Sequence, residues 1–365
     1  MDMKRLWRRT GPVGSLLVLG ACASAALAQD VVMSGLDNPR GLAFAANGAL
    51  YVAEAGRGGA GPCVTNPGTG EVRCYGTSGA VSRLWKGEQS RVVQGLPSHA
   101  MPDGSSAGGP NDIGMLGNGG AYVTLSLGGG PAFRAALGCD PCGSLIQMSA
   151  SGQWRVVADV AAFEFANNPA GGPVDTNPFG LHVEAGGVFL ADAGANVLYK
   201  VAASGAIETV SRFPSLQNPT PVGPPMVEPV PTSVTRASDG TLYVGQLTGF
   251  PFVQGLANIY RVVPGDDPVL HCSGFKMIID IAAGPDGSLY VVENATSAPP
   301  PAFPLPPFPP LSGKLTRVGP NCEKTTILTA LDRPTSVAVG PDGAVYVTNH
   351  GVTAGAGQVL RVTAP

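Results

Sequence analysis

Apolar and polar positions alternate in short bursts along this chain, and the bursts recur. Each unit reads as an extended apolar stretch, a tight turn, and then an apolar–aromatic–apolar run. Six copies stand out: 41–44 with 50–52, 112–115 with 121–123, 180–183 with 188–190, 232–235 with 242–244, 280–283 with 289–291, and 335–339 with 345–347. Period-two alternation and β-branched content predict strands. The dipeptides Asn47-Gly48, Gly119-Gly120, Gly186-Gly187, Asp239-Gly240, Asp286-Gly287 and Asp342-Gly343 predict two-residue hairpins inside each unit. A third strand follows at 80–84, 196–201, 258–262 and 358–362, and a fourth at 91–96, 154–157 and 207–210. The anchor aromatics fall at 51, 122, 189, 243, 290 and 346, with spacings of 71, 67, 54, 47 and 56 residues. A repeat of that size, made of short strands and Gly-rich turns, predicts an all-β, six-bladed β-propeller. No stretch after residue 28 carries a convincing helical period.

The chain ends after a third strand, so one blade lacks its fourth. Residues 30–36 (Asp-Val-Val-Met-Ser-Gly-Leu) look like 91–96 (Arg-Val-Val-Gln-Gly-Leu). The N-terminal strand is therefore expected to complete the last blade and close the ring, which hides the edges of an open sheet.

Residues 1–28 read as a secretory leader. Lys4, Arg5, Arg8 and Arg9 precede an apolar run at 13–26, and Ala26-Leu27-Ala28 is a small-x-small cleavage site. Leu19-Gly20-Ala21-Cys22 also matches a lipid-attachment box, with Cys22 as the alternative anchor. Cleavage leaves 29–365 as one expected domain, exported to the periplasm or the extracellular space, with 18 Lys+Arg against 24 Asp+Glu. A formal charge of −6 disfavours nucleic acid and anionic lipid as partners. No later stretch is long enough for a membrane helix. The chain is expected to act as a monomer.

Six cysteines remain after cleavage, an even count that suggests disulfides in an exported protein. Fifteen pairings are open. Cys63–Cys74 and Cys139–Cys142 would each close a local loop, and Cys272–Cys322 remains by elimination. Against that last pair, Cys272 ends an outer strand while Cys322 precedes one.

Loop lengths give the ring a direction. First-to-second and third-to-fourth connections are tight and share one face. The opposite face collects the long connections, 55–78, 127–143, 248–256 and 295–312 together with 97–110, 164–178 and 214–230. Function usually sits on long loops held by a rigid scaffold. Polar residues at the strand ends of that face form a candidate channel-mouth ring: Arg40, Glu54, Asp112, Asn177, Asp192, Gln246, Asp280, Glu293 and Asn349. Such an oxygen-rich ring suits a hard cation such as Ca²⁺, with Glu54, Asp192, Glu293 and Asn349 as ligands. The simpler reading is that these groups cap strand ends and bind channel water.

Other motifs weigh less. Gly104-Ser105-Ser106-Ala107-Gly108 matches a nucleophile elbow but lies between β-blades, without the strand and helix that an elbow needs. Cys139-Asp140-Pro141-Cys142 has no second pair and reads as a local disulfide. His99 and His350 fall on the loop face as general-base candidates, with a solvated loop residue the plainer reading. His182 sits in a first strand and His271 in an outer one. Residues 299–310 hold eight prolines and display Phe303, Leu305 and Phe308, as a docking arm or as a stiff loop. Asn294-Ala295-Thr296 fits a glycosylation sequon.

Four segments carry a family likeness: 35–44 with 51–59, 177–181 with 191–196, 230–234, and Tyr243-Val244-Gly245-Gln246-Leu247-Thr248-Gly249-Phe250-Pro251-Phe252. On these the chain resembles the ScyD/ScyE family, named for proteins of the cyanobacterial scytonemin cluster. More distantly the blades look like NHL repeats and gluconolactonase-like propellers. The resemblance implies an exported six-bladed propeller and brings no catalytic residues. Asn111 stands where that family is expected to have His. Two functions follow as expectations. One is a scaffold binding a small molecule or protein through its loop-rich face. The other is a Ca²⁺-dependent, lactonase-like hydrolase at the channel mouth.

Overall fold

The computed structural model describes residues 29–297 and 308–363. The leader, Cys22 and most of the proline-rich segment lie outside the described residues.

Six four-stranded antiparallel units form the blades. Blade 1 is Pro39–Phe44, Leu50–Glu54, Val72–Trp85 and Glu88–Ala100; blade 2 is Pro110–Leu116, Gly120–Leu125, Ser144–Met148 and Trp154–Asp159. Blade 3 is Pro178–Glu184, Gly187–Asp192, Val197–Ala202 and Ile207–Arg212; blade 4 is Pro231–Arg236, Leu242–Gln246, Ala257–Val262 and Val269–Phe275. Blade 5 is Ile278–Ala283, Leu289–Glu293, Gly313–Val318 and Lys324–Leu331; blade 6 is Val337–Val339, Val345–Asn349, Gly357–Val362 and the N-terminal strand Gln29–Leu36. That N-terminal strand pairs antiparallel with Gly357–Val362, Gln29 opposite Val362 and Leu36 opposite Gly357, as the likeness of 30–36 to 91–96 requires.

The anchor positions explain why the blades stack. Tyr51, Tyr122, Phe189, Tyr290 and Tyr346 are all less than a tenth exposed. Each lies in an apolar seam between neighbouring blades. Six such seams run round the ring, the last joining Met33 and Leu36 of the N-terminal strand to Leu42, Leu50 and Val52 of blade 1. A single blade offers two apolar faces and no core of its own, so burial is reached only when all six close.

Among the described residues two short helices correct the expectation of none. α1, Pro131–Leu137, opens with proline at its first turn and stops at Gly138, which adopts φ 68°. α2, Val160–Asn167, starts where the Asp159 carboxylate accepts the Ala162 N–H. Seven and eight residues are too few for a 3.6-residue period to be legible. Both lie within the long connections of the loop-rich face. Blade 1 also departs from its repeat: its outer strands run for 14 and 13 residues, beyond the blade, and pair with an added strand, Cys63–Thr65.

The three disulfides are Cys63–Cys74, Cys139–Cys142 and Cys272–Cys322. The third is compatible with the strand positions of its two cysteines. Cys272 is in the outer strand of blade 4, Cys322 is in the outer turn of blade 5, and the bond ties adjacent blades together. Closing a 50-residue separation stabilises the fold by about 4 kcal/mol through lost chain entropy in the unfolded state.

Candidate functional site

The innermost strands place one residue of each blade at equivalent points round the channel: Gly41, Asp112, Gly180, Ser233, Asp280 and Ser336. Three of their side chains, those of Asp112, Asp280 and Ser336, stitch blade to blade. The Asp112 carboxylate accepts the N–H of Ile113 (2.8 Å) and, from the next blade, of Leu181 (2.7 Å). Asp280 likewise accepts Ile281 N–H, Val337 N–H and the Ser336 hydroxyl, while Ser336 Oγ accepts Leu42 N–H. Glycine at 41 is forced by this packing, since a Cβ there would sit 2.1 Å from Asp112 Oδ1. The space left, bounded by Asp112, Asp280, Thr232 and Ser336, is about 10 Å³, room for roughly one water. Burial, and then the negative charge of Asp280, raise the Asp112 carboxyl well above its usual range. Burial raises Asp280 too, against the pull of its hydroxyl and amide donors.

The residues that end the second strands do something else. Glu54, Asp192 and Gln246 are fully buried, Glu293 is 1 % exposed and Asn349 is 8 % exposed. In four blades the side chain accepts the backbone N–H of the segment entering its own blade: Glu54 from Asp37, Asp192 from Asn177, Glu293 from Lys276 and Asn349 from Asp332. Ser126 plays the same part for Gly109 in blade 2. Gln246 lies against Tyr260. Asn177 enters this pattern through its backbone. The predicted ring therefore divides into a channel pair, Asp112 and Asp280, a set of strand-end caps, and two members that belong to neither, Gln246 and Arg40.

The caps are a poor donor set for Ca²⁺. Glu54 already holds the Ser82 hydroxyl and the Arg91 guanidinium, at 3.0 Å and 2.7 Å for the latter. Asp192 accepts three backbone N–H groups and the Thr176 hydroxyl. Glu293 is ion-paired with Lys314 at 2.7 Å, and Asn349 gives its one oxygen to Asp332 N–H. A bound cation would have to displace two cationic side chains, and Ca²⁺ needs six to eight oxygens. Among the described residues no group of three or more His, Cys, Asp or Glu side chains gathers as metal ligands.

Arg40, the remaining ring member, sits apart from the carboxylates. Its guanidinium donates to Gly351 O (2.9 Å) and Ala107 O (2.6 Å). Arg73 donates to Ser106 O, the neighbouring carbonyl of the same loop, and to Glu71. Arg333 O accepts Gly351 N–H at 3.0 Å, so Arg333 flanks the residue that Arg40 holds. Its guanidinium lies 4.6 Å from the centre of the Phe308 ring, and Phe308 is edge-on to Phe252 at 5.2 Å. Desolvation, then repulsion from Arg333 and Arg73, lowers Arg40 below the usual arginine value, yet it stays charged at neutral pH. Arg73, Arg333 and Phe252 were not among the residues expected from sequence. A signal was present: Leu36-Asp37-Asn38-Pro39-Arg40 and Leu331-Asp332-Arg333-Pro334-Thr335 are the same entry segment in blades 1 and 6, each with an arginine beside the proline.

Other expectations resolve individually. His99 is not a solvated loop residue; it belongs to the long strand Glu88–Ala100, is 4 % exposed and is edge-on to Phe133. Burial, then the charge of Arg73, pushes it down to about 3. His350 is at the loop face, with Nδ1 3.0 Å from Asp332 Oδ2. His271 packs on Tyr243, and burial lowers both His271 and His182. Ser105 bonds Asp103, and the 104–108 segment has neither the strand nor the helix of a nucleophile elbow. Asn294 is 3 % exposed and donates to Pro334 O, so its amide is not presented for glycosylation.

Comparison with known proteins identifies the architecture. No family model matches the chain, and no curated protein matches it. Solved structures do. A protein of Thermus thermophilus named as a putative oxidoreductase (glucose dehydrogenase) is 15% identical with a TM-score of 0.53, over 92% of this chain and 99% of that one. Regucalcin of Agrobacterium tumefaciens, described as a calcium-binding protein, is 14% identical with a TM-score of 0.53, over 93% and 96%. A protein named as a putative gluconolactonase is 9% identical with a TM-score of 0.53, over 93% of each chain. At these identities the likeness is one of fold alone: the chain is a six-bladed β-propeller with NHL- and gluconolactonase-like structural neighbours.

Proposed function

We propose that this chain is an exported propeller of the ScyD/ScyE type that binds a small molecule or a protein partner through its loop-rich face. One observation carries the reading. The added strand Cys63–Thr65, the strand extensions of blade 1, and helices α1 and α2 all belong to long connections on one face, while the connections of the other face are turns of two to six residues, most of them longer than the two-residue hairpins expected from the turn dipeptides. The strand-end groups Glu54, Asp192, Glu293 and Asn349 beneath those loops are engaged in holding the segments that enter their blades. Three disulfides support an oxidising compartment, and among the described residues no helix is long and apolar enough to cross a membrane.

The second reading is the lactonase-like hydrolase with Ca²⁺ at the channel mouth. It is motivated by the acidic strand ends and by the neighbours named for calcium binding and gluconolactonase activity. One experiment separates the two. Purified protein is melted in EDTA and again with Ca²⁺, and a small-molecule fragment set is then screened, its hits mapped by amide hydrogen exchange. The binding reading expects an unchanged Tm and hits that protect 55–71, 101–109 and 126–143. A rise of several degrees with Ca²⁺, together with lactone turnover, would establish the hydrolase instead. Hits confined to the turn face would sink the loop-face reading.

A further inference from the structure

Three arginines gather around the loop carbonyls 106–107 and Gly351, with two carboxylates beside them, which leaves one positive charge in excess. The Arg73 and Arg40 guanidiniums hold the adjacent carbonyls Ser106 O and Ala107 O, the Arg40 guanidinium also donates to Gly351 O, and the main-chain carbonyl of Arg333 accepts Gly351 N–H. Two carboxylates are near, Glu71 ion-paired with Arg73 and Asp332 hydrogen-bonded to His350, and the negative charge of both also acts on Arg333. Among the described residues neither Arg40 nor Arg333 forms an ion pair with a carboxylate. Two buried donors of the group, Arg333 Nη1 and Arg73 Nε, have no hydrogen-bond partner among the described residues. Leaving charged donors buried and unpaired is costly, and folding alone does not explain why this chain keeps them there. An arginine fork presents parallel N–H donors that match a carboxylate two to two.

The surroundings narrow the ligand further. Phe308 stacks on Arg333, Phe252 is edge-on to Phe308, and Phe250 is edge-on to Phe252 at 6.3 Å, all three half-buried. A row of aromatic rings leads away from the unpaired guanidinium. A ligand bound there would set an anionic head on the arginines and an apolar body along the rings.

We propose that Arg40, Arg73 and Arg333 form a binding site for a small organic acid, its carboxylate held by the guanidiniums and its apolar body by Phe308, Phe252 and Phe250. This inference rests on the loop-face reading and names the ligand class for it.

The test titrates the full-length protein by calorimetry with benzoate, acetate, inorganic phosphate and the neutral isostere benzamide. Benzoate is expected to bind at least tenfold more tightly than benzamide and more tightly than acetate or phosphate. Arg333→Gln is expected to weaken benzoate at least tenfold, and Arg333→Lys to recover part of the loss, since it restores the charge but not the fork. Phe252→Ala is expected to weaken benzoate while leaving acetate unchanged. Arg40 also braces two loops, so the deciding variant is Arg333→Gln, checked for an unchanged near-ultraviolet circular dichroism spectrum. Equal affinity for benzoate and benzamide, or benzoate binding untouched by Arg333→Gln, overturns the proposal. Phosphate binding more tightly than benzoate overturns the carboxylate assignment. Failure of every acid, with fragment hits still protecting 101–109 and 126–143, removes this inference and leaves the loop face standing. Hits on the turn face alone remove both.

Discussion

Asp175 shows how one residue's surroundings set a property of the whole protein. Its carboxyl lies just before the first strand of blade 3, and its Oδ1 has no hydrogen-bond partner among the described residues. Burial raises it to about 7, with Asp192, Glu228 and Glu164 adding repulsion and the Thr176 N–H opposing. The folded state therefore keeps a proton that the unfolded chain releases near the ordinary value of 3.8. The resulting stabilisation is complete below that value and is lost as pH rises through about 7. Asp175→Asn should melt roughly 2–4 °C above the parent at pH 8, with the advantage vanishing below pH 4. Scanning calorimetry at pH 4, 6 and 8 checks it, and a constant difference across the series would refute it. His99 acts in the opposite sense. Held neutral down to about 3, it lets the unfolded state gain a proton first, so its contribution falls as pH drops below 6.5.

At the scale of the element, the second strands matter most at their ends. In five blades the strand finishes on, or just before, a residue whose side chain turns back to hold the segment entering its own blade. Glu54 is the most heavily used, joining Asp37 N–H, Ser82 and Arg91. Glu54→Gln removes the charge that Arg91 answers, and Arg91 is 37% exposed, so solvent takes up part of the loss. The expected cost is about 2 kcal/mol in urea unfolding. The same loss should appear in EDTA and in excess Ca²⁺. A loss present only with Ca²⁺ would make Glu54 a metal ligand and contradict the capping role.

The whole molecule depends on closure. The N-terminal strand is the outer strand of blade 6 and also packs Met33 and Leu36 into the seam with blade 1. Deleting 29–36 would expose the edge of Gly357–Val362 and open that seam. The truncated chain should lose its single cooperative melting transition and associate on size-exclusion chromatography. A monomer with an unaltered melt would show that the ring is held by its other five seams alone.

Local patterning determined most of the architecture. Alternation, the Gly-containing turn dipeptides and the six aromatic anchors specify strands, hairpins and blade count, because each depends only on neighbours in the chain. The ring closure was legible for the same reason, since 30–36 repeats the pattern of a fourth strand. What the chain alone did not decide was which polar residues share a site. Glu54 and Arg40 look alike as channel-mouth candidates, yet one is consumed as a strand-end cap and the other joins Arg73 and Arg333. Arg40 and Arg333 are 293 residues apart in sequence and meet only because blade 6 closes against blade 1. The helices escaped notice because a turn or two carries too short a period, and His99 because its strand outruns the repeat. Secondary structure follows from local steric and hydrophobic preference, whereas the charge balance of a site is a sum over groups that only the folded ring brings together.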